Sequence, residues 1–245
     1  MEKYLTYLED WLAETLERRG ADGFVLGVSG GVDSAVMTYL LGRKFRANSL
    51  GLILPCNSAR GDEEDAKLVL RGAGLDYRTI DLTTMRNQML PELAEFTSEN
   101  SPEVVRVIDG NIRARLRMTT LFAVAQSKNY LVVGTDNAVE WYTGYFTKFG
   151  DGGVDIAPLI YLLKSEVYEA ANILGVPQPI IAKAPSAGLW EGQTDESEIG
   201  VRYEQLEQFL RGQYVSDEVK KRIAFWHNRS DHKREMPWIP QPYNK

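Results

Sequence analysis

A short apolar run, FVLGVS at residues 24–29, ends in the paired glycines Gly30 and Gly31 and passes at once into SAVMTYLLG, residues 34–42. That succession predicts a buried strand, a tight turn and a helix. The pattern then repeats. LGLILP (50–55) reads as a second strand and DEEDAKLVLRGAG (62–74) as its crossover helix. DYRTIDL (76–82) reads as a weaker third strand, and MRNQMLPELAEF as a helix that Pro91 bends. NIRARLRMTTLFAVAQ (111–126) is a helix and YLVVGT (130–135) a fourth strand. Strands alternating with helices in this way predict an α/β fold: a mostly parallel central sheet with helices on both faces. Such sheets bind ligands beyond the carboxyl ends of their strands.

The ends of the chain read differently. Leu5, Leu8, Leu12 and Leu16, with Trp11, trace one stripe at helical spacing, so a first helix runs from about Lys3 to Arg19 before Gly20 and Gly23. KSEVYEAANILG (164–175) is a helix stopped by Gly175 and Pro177. Residues 182–200 show no period and are rich in glycine and acids, which predicts a mobile lid loop. YEQLEQFLRG and SDEVKKRIAFWH read as two short helices, and the tail is broken by prolines. There is no repeat, heptad pattern or linker, so residues 1–245 read as a single domain.

Composition narrows the partners. Lysines and arginines number 28 against 34 acids, a formal charge of -6, which argues against broad nucleic-acid binding but not against an anionic small molecule. Cys56 is the only cysteine, so an internal disulfide or thiolate metal cluster is excluded. The first residues lack an apolar core, and no stretch reaches membrane-spanning length. The expectation is no membrane partner and, by default, a cytoplasmic location.

GVSGGVDSA, residues 27–35, is the sharpest local feature. Gly30 and Gly31 let the backbone turn tightly, so successive N–H groups can face one oxyanion at a helix N-terminus. Ser29 and Ser34 add hydroxyls. The spacing is neither GxGxxG nor a Walker loop, since GK[ST] is missing. Asp33 is a carboxylate beside the supposed phosphates, which is repulsive unless a cation such as Mg²⁺ lies between them. The plain structural alternative makes Asp33 a helix cap, Ser29 a strand end and the glycines an ordinary turn.

SGGVDS resembles the pyrophosphate loop of the ATP-pyrophosphatase superfamily, whose members cleave ATP between its α and β phosphates. Four more segments resemble the ammonia-dependent NAD synthetase family within it. They are NIRARLRMTT (111–120), GTDNAVEWYTGYFTKFGDGGVDIAPL (134–159), KAPSAGLWEGQTDESEIG (183–200) and DHKREMP (231–237). The likeness runs from about residue 22 almost to the end. It implies an adenine-nucleotide α-hydrolase-like fold and a ligase using ATP and Mg²⁺ on deamido-NAD and ammonia.

The same resemblance distributes roles. Thr135, Lys164 and Ser186 match ATP-binding positions, along with the loop residues Gly27, Ser29, Gly30, Gly31, Asp33 and Ser34. Asp33 and Glu140 match magnesium ligands. Arg117, Lys148, Asp155, His232 and Lys233 match deamido-NAD contacts, with Arg115 as a further candidate. Asp151 matches a position near the incoming ammonia, and Asp33, Asp151 and Lys164 are the implied catalytic groups. On the residues alone, Arg113 and Arg117 share a helix face while Arg115 points roughly 160° away. Asp136 or Asn137 reads equally well as a helix cap, with Glu140 on the surface of that helix. His227 matches nothing and reads as a packing residue; Trp190 reads as a lid or core contact.

The implied chemistry is adenylation of the nicotinate carboxyl, then attack by ammonia. The chain has no room for an attached glutaminase domain, so free ammonia is the expected nitrogen source, with a separate amidotransferase partner as the alternative. The family also implies a homodimer. Two rivals keep part of this reading. A tRNA-modifying relative would need a basic stripe, and a non-catalytic nucleotide-binding module would bind ATP without releasing AMP.

Overall fold

The computed structural model describes residues 1–58, 60–183 and 195–243. Its helices and strands run α1 (Glu2–Arg19), β1 (Gly23–Gly27), α2 (Val32–Lys44), β2 (Ser49–Ile53), α3 (Arg60–Ala73), β3 (Asp76–Thr79), α4 (Thr83–Glu92), α5 (Ala94–Thr97), α6 (Pro102–Lys128) and β4 (Tyr130–Val133). They continue as α7 (Ala138–Thr143), α8 (Lys164–Leu174), α9 (Gln178–Ile181), α10 (Asp195–Ile199), α11 (Tyr203–Leu210) and α12 (Asp217–Arg229). The strands form one parallel sheet in the order β3-β2-β1-β4, with Val25 level with Leu50 and Val132. The chain steps outward from β1 to β3 and then crosses back to place β4 on the other side of β1. The order therefore reverses between β1 and β4, and a crevice opens there at the carboxyl ends of the two strands.

Alternation along the strands fills both faces. Phe24 and Leu26 enter a core with Leu5 and Leu12 of α1, Leu40 and Leu41 of α2, and Val167 and Ala170 of α8. Val25, Leu52 and Val132 point the other way, onto Ala125 of α6 and Leu82. Phe24 is fully buried, and truncating such a side chain to alanine costs about 3–5 kcal/mol. A third cluster, Val139, Leu163, Leu206 and Ile223, ties α7, α11 and α12 together beside the sheet.

Three elements differ from the sequence expectation. Helix α6 starts nine residues before the predicted 111, at Pro102. Its first turns expose Val104 and Val107, so no buried stripe marked them. Ser101 accepts the N–H of Val104 and proline occupies the first turn, a start signal of caps rather than of periodicity. Pro91 sits in the last turn of α4, and the chain re-forms a short helix after Leu93 rather than bending one long helix. The stretch 182–200 is not wholly aperiodic, because Asp195–Ile199 is helical. Ser186, Trp190 and the rest of the proposed lid between 184 and 194 lie outside the described residues. No helix among the described residues is long and apolar enough to cross a membrane.

Candidate active site

The loop after β1 is shaped by contacts that only glycine permits. Gly30 has φ +83°, and a Cβ there would come within 2.6 Å of the Asp65 Cβ, so α3 packs directly against the loop backbone. Gly31 is the N-cap of α2 and no side chain caps that helix. Asp33 is thus not the cap that the plain structural reading allowed. Ser29 and Ser34 knit the turn instead. Their hydroxyls lie 3.1 Å apart, the Ser29 hydroxyl accepts the Gly31 N–H at 3.2 Å, and Ser34 donates to the Gly31 carbonyl at 2.9 Å.

Asp33 turns toward residues far away in sequence. Its Oδ1 accepts the side-chain amide of Asn137 at 3.0 Å, and its Oδ2 lies 2.5 Å from Lys164 Nζ. Asn137 ends the segment after β4, and Lys164 opens α8, so the β1/β4 reversal brings the three together. Lys164 is 4% exposed and also faces Glu140 Oε1 at 3.7 Å. The capping alternative holds for Asn137, but its companion, Glu140 on the surface of that helix, does not. Asn137 caps α7 through Val139 and Glu140, and Glu140 returns a bond to the Asn137 N–H at 3.0 Å. From that position Glu140 faces inward. Among the described residues no group of three or more His, Cys, Asp or Glu forms a metal cage. A pair of carboxylates that already faces a cation suits Mg²⁺, which takes one or two carboxylates and completes its shell with phosphate and water.

The far end of the cavity carries different chemistry. Arg117 of α6 donates to the Leu54 carbonyl at 3.0 Å and the Ser58 hydroxyl at 3.2 Å. Burial works against its charge, and neighbouring Arg113 adds to the strain. Arg113, one turn earlier, faces Asp109 instead, and Asp109 also takes two bonds from Arg86 at 2.6 and 2.8 Å. Burial pushes the Asp109 carboxyl up, but the two guanidiniums outweigh it and leave it below the usual range. The Asp151 carboxyl is raised by burial, against the pull of the Thr147 N–H, which it accepts at 2.8 Å, and of Lys233. Asp136 is raised much further by burial and by the negative charges of Asp151, Glu140 and Asp33, with nothing opposing. The Lys233 ammonium is pulled down by burial, although Asp151 supports it, and it donates to the Gly144 and Phe146 carbonyls at 2.8 and 2.6 Å.

One continuous cavity of about 1010 Å³ joins these two ends. Gly27, Ser29, Gly31, Asp33, Ser34, Thr135, Glu140 and Lys164 line it from the loop side, and Arg117, Asp151 and Lys233 from the other. Gly30 shapes the loop from behind and does not line the cavity. Arg115 points outward, 3.4 Å from the Lys148 carbonyl, and Lys148 reaches the backbone of His232. Asp155 accepts the Val132 N–H at 2.8 Å and so fastens the chain to β4. His232 is exposed. These four lie outside the cavity of a single chain. His227 packs its ring on Tyr142 at 4.2 Å.

The sequence reading missed several lining groups. Asp136, at the end of the fourth strand, lines the cavity without having been assigned a role in it. Lys183 bridges Asp62 and Asp65 of α3 at 3.0 and 2.9 Å beside the loop. Tyr145 bonds to Glu198 across the cavity wall. Only Asn137 carried a readable signal, the N-x-x-E spacing of a capping box.

The family model described as NAD synthase matches residues 4–237. The NH(3)-dependent NAD(+) synthetase of Alkaliphilus oremlandii is 47% identical over 98% of this chain and 98% of its own. That of Mannheimia succiniciproducens is 48% identical over 98% and 95%. Among solved structures, the NMN synthetase from Francisella tularensis superposes with a TM-score of 0.90 at 45% identity, covering 98% of each chain. The NH3-dependent NAD synthetase from Campylobacter jejuni follows at 0.79 and 28%, again over 98% of each. In motif order, length and fold alike, the chain belongs to the NAD synthase family.

Proposed function

We propose that the chain amidates the nicotinate carboxyl of deamido-NAD with ammonia while cleaving ATP to AMP and pyrophosphate. The observation that carries this reading is one continuous cavity: a cation-facing carboxylate pair and phosphate-type loop at one end, Arg117 and Lys233 at the other. A carboxylate oxygen of the acceptor attacks the α-phosphorus, the bond to the β-phosphate breaks, and pyrophosphate leaves. The loop N–H groups and Lys164 meet the charge that accumulates on the leaving group. Mg²⁺ held by Asp33 and Glu140 with phosphate oxygens would neutralise that charge. Arg117 and Lys233 hold the anionic acceptor in line, which is the larger part of the catalysis. Asp151 holds ammonium by charge and eases loss of its proton. Free ammonia then attacks the acyl carbon, the carbon–oxygen bond to AMP breaks, and the amide forms.

A second reading follows from the Francisella tularensis structure, which is that of an NMN synthetase. Nicotinate mononucleotide offers the same carboxyl, ribose and phosphate without the adenylate half. The deciding assay supplies ATP, Mg²⁺ and ammonium with either acceptor and measures kcat/KM from AMP and amide product, with glutamine in place of ammonium as a control. We expect turnover of deamido-NAD with ammonium and none with glutamine. A higher kcat/KM for the mononucleotide hands the function to the second reading, and AMP release with neither acceptor removes both. Two copies are expected to associate, because Met85, Met89, Phe96, Val104 and Val107 stand exposed along α4, α5 and α6; sedimentation at a single-chain mass overturns that part.

A further inference from the structure

Asn137 was expected to be at most a helix cap, yet every polar atom of its side chain is committed across the site. It is fully buried. Its Oδ1 accepts the N–H groups of Val139 and Glu140 at 3.0 and 3.1 Å, which starts α7. Its Nδ2 donates to Asp33 Oδ1 at 3.0 Å, and its own N–H donates to Glu140 Oε2 at 3.0 Å. One residue thus grips one oxygen of each carboxylate. The other oxygens, Asp33 Oδ2 and Glu140 Oε1, face the same point, where Lys164 Nζ lies at 2.5 and 3.7 Å.

We propose that Asn137 is the positioning residue that sets Asp33 and Glu140 as a cation-binding pair. The proposal rests on the reading that this pair takes a divalent ion together with the phosphate oxygens of ATP. Two carboxylates aimed at one point repel each other, so their orientation must be held by donors behind them. Asn137 supplies those donors from a buried position with no freedom to turn. Asparagine is also the residue type that the geometry demands. It combines a cap acceptor with an amide donor, whereas aspartate caps α7 equally well but presents a negative oxygen to Asp33. Serine caps through a shorter arm and has no donor that spans to Asp33. Substitution by either one therefore separates the cap from the positioning bond.

The test measures Mn²⁺ affinity in the presence of a non-hydrolysable ATP analogue, reading free Mn²⁺ by electron paramagnetic resonance. Asn137→Ser and Asn137→Asp are compared with the native chain, with Asp33→Asn as the reference for losing a ligand. Loss of one hydrogen bond to a charged group predicts roughly ten- to hundredfold weaker Mn²⁺ binding in Asn137→Ser, and a larger loss in Asn137→Asp. Raising the Mg²⁺ concentration should restore kcat in Asn137→Ser, while KM for the nicotinate acceptor stays within about twofold. A residue with only a structural role would lower Tm and leave the metal titration in place. Native Mn²⁺ affinity in Asn137→Ser and Asn137→Asp, with affinity lost in Asp33→Asn, overturns the role of Asn137 alone. Native affinity in Asp33→Asn as well overturns the cation reading and the proposal with it.

Discussion

The two ends of the cavity meet the problem of buried charge in opposite ways. At the phosphate-loop end, charges are matched at short range within the chain: Lys164 with Asp33 and Glu140, Lys183 with Asp62 and Asp65. The serines of the loop satisfy each other. Toward the other end, burial opposes the ordinary charge state of Arg117 and Lys233, and also that of Asp136, which feels the acids of both ends. One end is therefore organised before any ligand arrives. The other holds groups whose charge is most favourable once an oppositely charged ligand lies beside them. Under the proposed function, an enzyme that positions a triphosphate and then receives first an anion and later ammonium gains from that division.

The largest effect is expected where the organised end is broken. Asp33→Asn removes the negative partner of Lys164 and should lower kcat for pyrophosphate release by roughly 10²–10³-fold, with far-UV circular dichroism retained. Near-native release in that variant would contradict the assigned role of the loop end.

Arg117→Lys attacks the other end. It keeps the charge but loses the planar fork that engages Leu54 and Ser58. KM for the nicotinate acceptor should rise about ten- to hundredfold, with KM for ATP little changed. An equal rise in both constants would show that the two ends are not separable.

A smaller effect, in stability rather than rate, sharpens the contrast through pH. The folded-state pKa of Asp136 is raised by burial and by neighbouring acids, so the protonated form favours the fold. That favour is complete below the unfolded-state pKa and is lost as pH rises through the folded-state value. Asp136→Asn should therefore raise Tm near neutral pH, and the gain should vanish as the medium is acidified. Thermal unfolding across a pH series checks the sign; a gain that grows on acidification refutes it.

The smallest effect is expected outside the cavity. His227→Ala removes a ring stacked on Tyr142 and should lower Tm by about 2–4 °C without altering either KM. A changed acceptor KM would extend the acceptor end into the cluster of α7, α11 and α12.

Much of the architecture was readable in the chain. FVLGVS, the glycine pair and the following helix lie where local pattern places them, and the leucine stripe of α1 is the buried one. Periodicity failed where burial was absent, as in the first turns of α6, because an exposed helix face leaves no apolar stripe. In the site, helical spacing correctly put Arg113 and Arg117 on one face. It could not divide them: Asp109, itself held by Arg86, claims the first, while the second reaches the cavity.

The sequence by itself determined the strand-and-helix alternation, the glycine-dependent turn and the acid two residues after it, since each depends on neighbours a few residues apart. Only the tertiary structure decided that Asp33, Asn137 and Lys164 meet, and that burial and neighbouring acids raise the Asp136 carboxyl. Those outcomes depend on strand order and on burial. Desolvation and charge pairing act through space, between groups that lie 104 and 131 residues apart along the chain in the case of Asp33 and its two partners.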